Sequence, residues 1–96
     1  MQITEIHIRP ANQGVVRAHV DIVFDNCFMV EEIKIIEVPT GFLISFPSKK
    51  QRDGTHWDIA FPANSETRKM IERAILAKYA KVVGGSALLP NVTEPQ

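Results

Sequence analysis

Apolar and polar residues alternate with a period of two through much of the first sixty positions, and the period becomes helical after residue 64. Thr4, Ile6 and Ile8 alternate with Glu5, His7 and Arg9, and Pro10 is expected to end that strand. Asn12-Gln13-Gly14 is turn chemistry. The clearest alternation follows: Val16, Ala18, Val20, Ile22 and Phe24 take one face, and Arg17, His19 and Asp21 the other. This is the pattern of a half-buried antiparallel strand.

Asp25-Asn26 suits a tight hairpin, because both residues tolerate positive φ. In the next strand, over 28–38, the apolar side changes phase. Phe28 and Val30 occupy even positions, whereas Ile33 and Ile35 occupy odd ones. An extra residue in the ladder produces such a change, so a β-bulge is predicted near Glu31-Glu32. Pro39-Thr40-Gly41 turns the chain into a strand carrying Phe42, Ile44 and Phe46. The basic run Lys49-Lys50-Gln51-Arg52 leads into the turn dipeptide Asp53-Gly54, and Trp57, Ile59 and Phe61 alternate on the way back to Pro62. The basic residues thus fall on the arm and tip of a hairpin. Trp57 and Phe61 are expected to anchor it in the core, although an indole can also stack on a nucleic-acid base.

From Ser65, Ile71, Ile75, Tyr79 and Val82 recur at steps of three and four beside Leu76, the apolar stripe of an amphipathic helix. Asn64 or Ser65 supplies the N-cap, Glu66 suits the positive end of the helix dipole, and Gly84-Gly85 ends the helix. Lys69, Arg73 and Lys81 fall on the opposite face, and Arg68 and Glu72 form a favourable i, i+4 pair. Residues 84–96 read as a flexible C-terminal tail. The predicted fold class is α+β: an antiparallel β-meander of about five strands followed by one C-terminal amphipathic helix. One helix covers only one face of a sheet and leaves an edge open, which favours a homodimer through the sheet edge or face.

With 96 residues the chain forms one domain and buries roughly 60–65% of its unfolded surface. It holds no apolar run near the roughly 18 residues of a membrane span, so no membrane insertion is expected. The opening MQITEIHIRP does not read as a signal peptide, and the cytoplasm is the expected compartment. Cys27, the single cysteine, is expected to be a small buried thiol. Net charge is zero but unevenly spread. Residues 1–47 carry three basic against six acidic side chains, and residues 48–96 carry eight against five. Such asymmetry hints at an anionic partner.

The residue pattern offers little for catalysis. His7, His19 and His56 lie on separate strands without metal-ligand spacing, and Ser45, Ser48 and Ser65 lack a nucleophile motif. His56 and Asp58 share a strand face and could form one hydrogen-bonded pair. No catalytic residue, metal or cofactor is expected, and the chain is not expected to be an enzyme. The candidate site is instead the basic set Lys49, Lys50 and Arg52 of the hairpin with Lys69 and Arg73 of the helix. On the residues alone, a plain solvated surface and an anion-binding surface both remain open.

Several segments together resemble one family. FPSKK at 46–50, DG at 53–54, DIAFP at 58–62 and NSETR at 64–68 look like the most characteristic stretch of the SpoVG (stage V sporulation protein G) family. The N-terminal ITEIHIR, the VRAHVDI segment and the F-x-V at 28–30 agree in order and spacing, so the resemblance covers about residues 1–83. It implies a dimeric, non-enzymatic, cytoplasmic α+β protein of bacteria. Members are linked to control of division septum formation and, in spore formers, to sporulation, and they are implicated as regulators that bind DNA and RNA. Carried over by position, the basic pair after Pro-Ser falls on Lys49 and Lys50, and the helix start on 64–69. Lys50 stands where many members have arginine; it keeps the charge but lacks the planar fork that reads guanine. An alternative function is a protein-interaction module of the division machinery that does not bind nucleic acid directly.

Overall fold

The structure, a computed structural model, describes residues 1–84. Four strands form an antiparallel meander in the order β1-β2-β3-β4: β1 (Ile3–Gln13), β2 (Val16–Phe24), β3 (Phe28–Val38) and β4 (Gly41–Ser45). A separate two-stranded ribbon pairs β5 (Ser48–Lys50) with β6 (His56–Asp58), and the helix α1 (Ser65–Val83) follows. The α+β class is as expected. Among the described residues the meander has four strands rather than about five, because the fifth and sixth pair with each other. Beyond Gly84, the expected tail lies outside the described residues.

The predicted hairpin and bulge are both present. Asp25 and Asn26 turn the chain with φ of 51° and 55°. In the β2–β3 register Val20 faces Ile33 and Ile22 faces Val30, so Asp21 alone opposes Glu31-Glu32, and Glu32 takes φ 67°. The extra residue brings Val30, Ile33 and Ile35 to the same side of the sheet as Val20 and Ile22.

A second irregularity carried no comparable signal. Val16 faces Ile36 and Ala18 faces Ile35, leaving Arg17 as the extra residue of β2. Val16 therefore joins the outer face rather than the expected inner one. Arg17 turns to donate from Nε to Glu37 Oε1 at 2.7 Å and from Nη1 to the Gly14 carbonyl at 2.8 Å. Strand β1 also continues through Pro10, since an edge strand tolerates a residue that lacks an N–H.

One face of the meander carries the core. Ala18, Val20, Ile22, Phe24, Ile33, Ile35 and Ile44 are buried against Ile71, Ile75, Leu76 and Tyr79 of the helix. Phe42 meets Tyr79 edge-on with ring centroids 5.8 Å apart. The Asn64 side chain accepts from the Thr67 N–H at 2.8 Å, and Gly84 ends the helix at φ 96°, where its N–H donates to the Ala80 carbonyl. The stripe runs Ile71, Ile75, Tyr79, Val83 at constant steps of four, so Val83 packs on the core and Val82 is exposed, contrary to expectation. Cys27 is also exposed, because it belongs to the β2–β3 turn, where its N–H donates to the Phe24 carbonyl.

Among the described residues no helix covers the outer face. It holds Arg9 paired to Asp21 at 2.6 Å, His7 on Glu5 at 2.8 Å and His19 on Gln13 at 3.0 Å. Among the described residues no helix is long and apolar enough to cross a membrane.

Candidate nucleic-acid interface

Two short strands and a five-residue turn present the basic run. Ser48 faces Asp58, Lys49 faces Trp57 and Lys50 faces His56. With a side-chain period of two, Lys49 and Trp57 share one face of the ribbon, and Lys50 and His56 share the other. The turn is closed by the Gln51 N–H donating to the Thr55 carbonyl at 2.7 Å and the Gly54 N–H to the Gln51 carbonyl at 3.0 Å. Gly54 sits at φ 91°, a conformation that a side chain would strain.

Asp53 holds the tip. One carboxylate oxygen accepts from the Thr55 hydroxyl at 2.7 Å and from the Thr55 N–H at 3.0 Å. These two donors hold the Asp53 carboxyl below its ordinary range. A depressed carboxylate contributes stability above its unfolded pKa and loses it as pH falls through the folded one. The turn is therefore expected to stay closed at pH 5 and loosen only in acid below the usual aspartate value of about 3.9. The Thr55 amide shift followed by NMR against pH checks this. Asp53→Ala should abolish the acid transition while leaving the global melting temperature unchanged.

The root of the ribbon is fixed to the body. The Ile59 N–H donates to the Pro47 carbonyl at 2.8 Å, and Phe46 and Pro47 are buried. The Arg68 guanidinium lies 5.0 Å from the centroid of the Phe46 ring and reaches Glu72 at 3.7 Å. Arg68 is thus engaged in structure. Lys49, Lys50, Arg52, Lys69 and Arg73 are all exposed, and among the described residues none forms an ion pair. The ribbon brings the first three together. Lys69 and Arg73 stand one turn apart on the helix, which makes at most slight contact with the ribbon.

The expected anchoring by Trp57 and Phe61 is not found. Trp57 is 66% exposed, Ile59 64% and Phe61 57%. Strand β6 ends at Asp58, and the meander closes its core on the helix without these residues. Phe61 instead lines an apolar groove of about 430 Å³ with Phe24, Phe28, Phe46 and Ile71. His56 and Asp58 lie on one ribbon face but exchange no hydrogen bond among the described residues. No group of three or more His, Cys, Asp or Glu side chains that could hold a metal is present among the described residues.

Comparison with known proteins places these features in a family. The family model described as SpoVG matches residues 1–81. A relative from Anaeromyxobacter sp. (strain Fw109-5) is 47% identical over 94 residues, covering 97% of each chain. One from Caldicellulosiruptor bescii is 46% identical over 84 residues, 86% of this chain and 96% of the relative. One from Anaeromyxobacter dehalogenans (strain 2CP-C) is 42% identical over 90 residues, 94% of this chain and 89% of the relative. Each bears the name "Putative septation protein SpoVG".

Proposed function

The chain belongs to the SpoVG family, and from that premise we propose that it is a homodimeric, non-enzymatic regulator that binds DNA and RNA. It acts in the control of division septum formation and, in spore formers, in sporulation. The septation role rests on the names of its relatives. The nucleic-acid role rests on one observation: Lys49, Lys50 and Arg52 stand exposed and without ion-pair partners on a ribbon fixed at its root. Charges so placed lose little by meeting phosphates and release the counterions condensed on them. Lys69 and Arg73 add exposed charge from the helix.

Dimerisation is supported by the outer face and the β4 edge, which among the described residues nothing covers, with Leu43 and Met29 exposed on that face. The same surface favours the second reading, a protein-interaction module of the division machinery.

The test is a fluorescence-anisotropy titration of the full chain against labelled DNA and RNA at two salt concentrations. About six phosphate contacts per dimer predict a loss of affinity of about a thousand-fold between 50 and 200 mM salt. Salt-independent binding, or no binding to either polymer at 50 mM, would remove the proposal and leave the protein-interaction reading.

A further inference from the structure

We propose that the ribbon selects unpaired nucleic acid, with Trp57 stacking on a base while Lys49 beside it holds a phosphate of the same strand. The inference rests on the nucleic-acid reading above and names the form of polymer that the site takes.

The first observation is the exposure of the indole. Trp57, the one tryptophan of the chain, is 66% exposed on a strand of three residues. It contributes nothing to the core, so its apolar surface gains only if a partner covers it. The second is its neighbour. Lys49 lies directly across the ribbon from Trp57, on the same face, and such cross-strand pairs stand about 5 Å apart at Cβ. A flat aromatic surface and a cation at that spacing meet the base and the phosphate of one strand.

Duplex does not offer the same match, because the faces of its bases are covered by their neighbours within the stack. Unpaired bases present both faces, and every base has one, so stacking discriminates strand state rather than sequence. A lysine rather than an arginine at position 50 agrees with that, since the planar fork for reading guanine is absent.

A second copy of the chain is the other candidate to cover Trp57, and charge argues against it. Lys49 lies on the face of Trp57, with Lys50 and Arg52 close by on the same short ribbon, so a second copy would bring like charges together. The same three cations complement a polyanion.

Because Trp57 is the one tryptophan, its emission reports on the site directly. The full chain is titrated with a dodecamer of thymidine, a dodecamer of uridine and a twelve-base-pair duplex of mixed sequence, at one low salt concentration. Both single strands are expected to quench Trp57 in step with binding measured from a labelled end, the duplex less so. Trp57→Ala should weaken single-strand binding by about 5- to 150-fold, with a smaller loss on duplex, and Trp57→Phe should retain most of the affinity. Thermal unfolding of both variants should match the parent, as exposure of the residue requires.

If Trp57→Ala leaves single-strand affinity intact while Lys49→Ala/Lys50→Ala lowers it, phosphate binding stands and stacking is overturned. Absence of binding to all three probes removes both readings together. A blue-shifted emission that grows with protein concentration, lost together with the dimer in Trp57→Ala, would assign the indole to a second copy and overturn the inference.

Discussion

Ile75→Ala is expected to lower the free energy of unfolding by about 2–5 kcal/mol. Ile75 is fully buried at the middle of α1, within the cluster that includes Val20, Ile22, Ile33 and Ile35. The loss combines the transfer of its methyl and methylene groups with the cavity that a rigid sheet leaves unfilled. A domain of this size has about 5–14 kcal/mol in all, so the change removes a large part of it. The melting temperature should fall by about 10–30 °C, measured by circular dichroism. Val82→Ala, on the same helix but 42% exposed, serves as control and should cost less than about 1 kcal/mol. A loss under about 0.5 kcal/mol for Ile75→Ala would mean that the helix is not what closes this face.

That pair of valines also shows where the reading of sequence stops. Val82 and Val83 both continue the stripe, one by a step of three from Tyr79 and one by a step of four, and only the direction of the ridge across the sheet separates them. The bulge at Glu31-Glu32 was legible because it lies inside an apolar alternation and shifts its phase. The irregularity at Arg17 was not, because Val16 is the first residue of its strand, with no earlier residue to reveal the change. Caps and turns were legible for a different reason: Asn64, Asp25-Asn26 and Gly84 act through their own backbone and nearest neighbours.

Trp57, Ile59 and Phe61 mark a deeper limit. Their alternation fixes which face they share, but not whether anything lies opposite that face. Burial is a property of the whole packing, and here the meander and helix complete a core that excludes the ribbon. Cys27 fails for a related reason, since its apolar character gives way to its place in a turn. For the basic set, local sequence placed Lys49, Lys50 and Arg52 on one hairpin. It held no information on the spatial relation of Lys69 and Arg73 to that hairpin.

Lys49→Ala/Lys50→Ala should make the salt dependence of duplex binding shallower and lower affinity most where salt is low. Each phosphate contact contributes a slope of about 0.9 in log affinity against log salt, so two lost contacts change it by about 1.8. Relative to 1 M salt, that corresponds to about 60-fold at 0.1 M. If both ribbons of a dimer grip one duplex, four contacts disappear and the change approaches about 3.6, several thousand-fold over the same range. The size of the slope change therefore reports dimer engagement as well as the site. Both lysines are exposed and unpaired among the described residues, so folding should be unaffected, and Lys49→Arg/Lys50→Arg should preserve the slope. The single variants separate the two faces of the ribbon. Lys49 lies with Trp57 and Lys50 with His56, so a duplex straddled by the ribbon loses from both changes. A single strand seated on Trp57 should lose from Lys49→Ala with a slope change of about 0.7 and be nearly indifferent to Lys50→Ala. An unchanged slope in the double variant, on both duplex and single strand, would take the ribbon out of the interface.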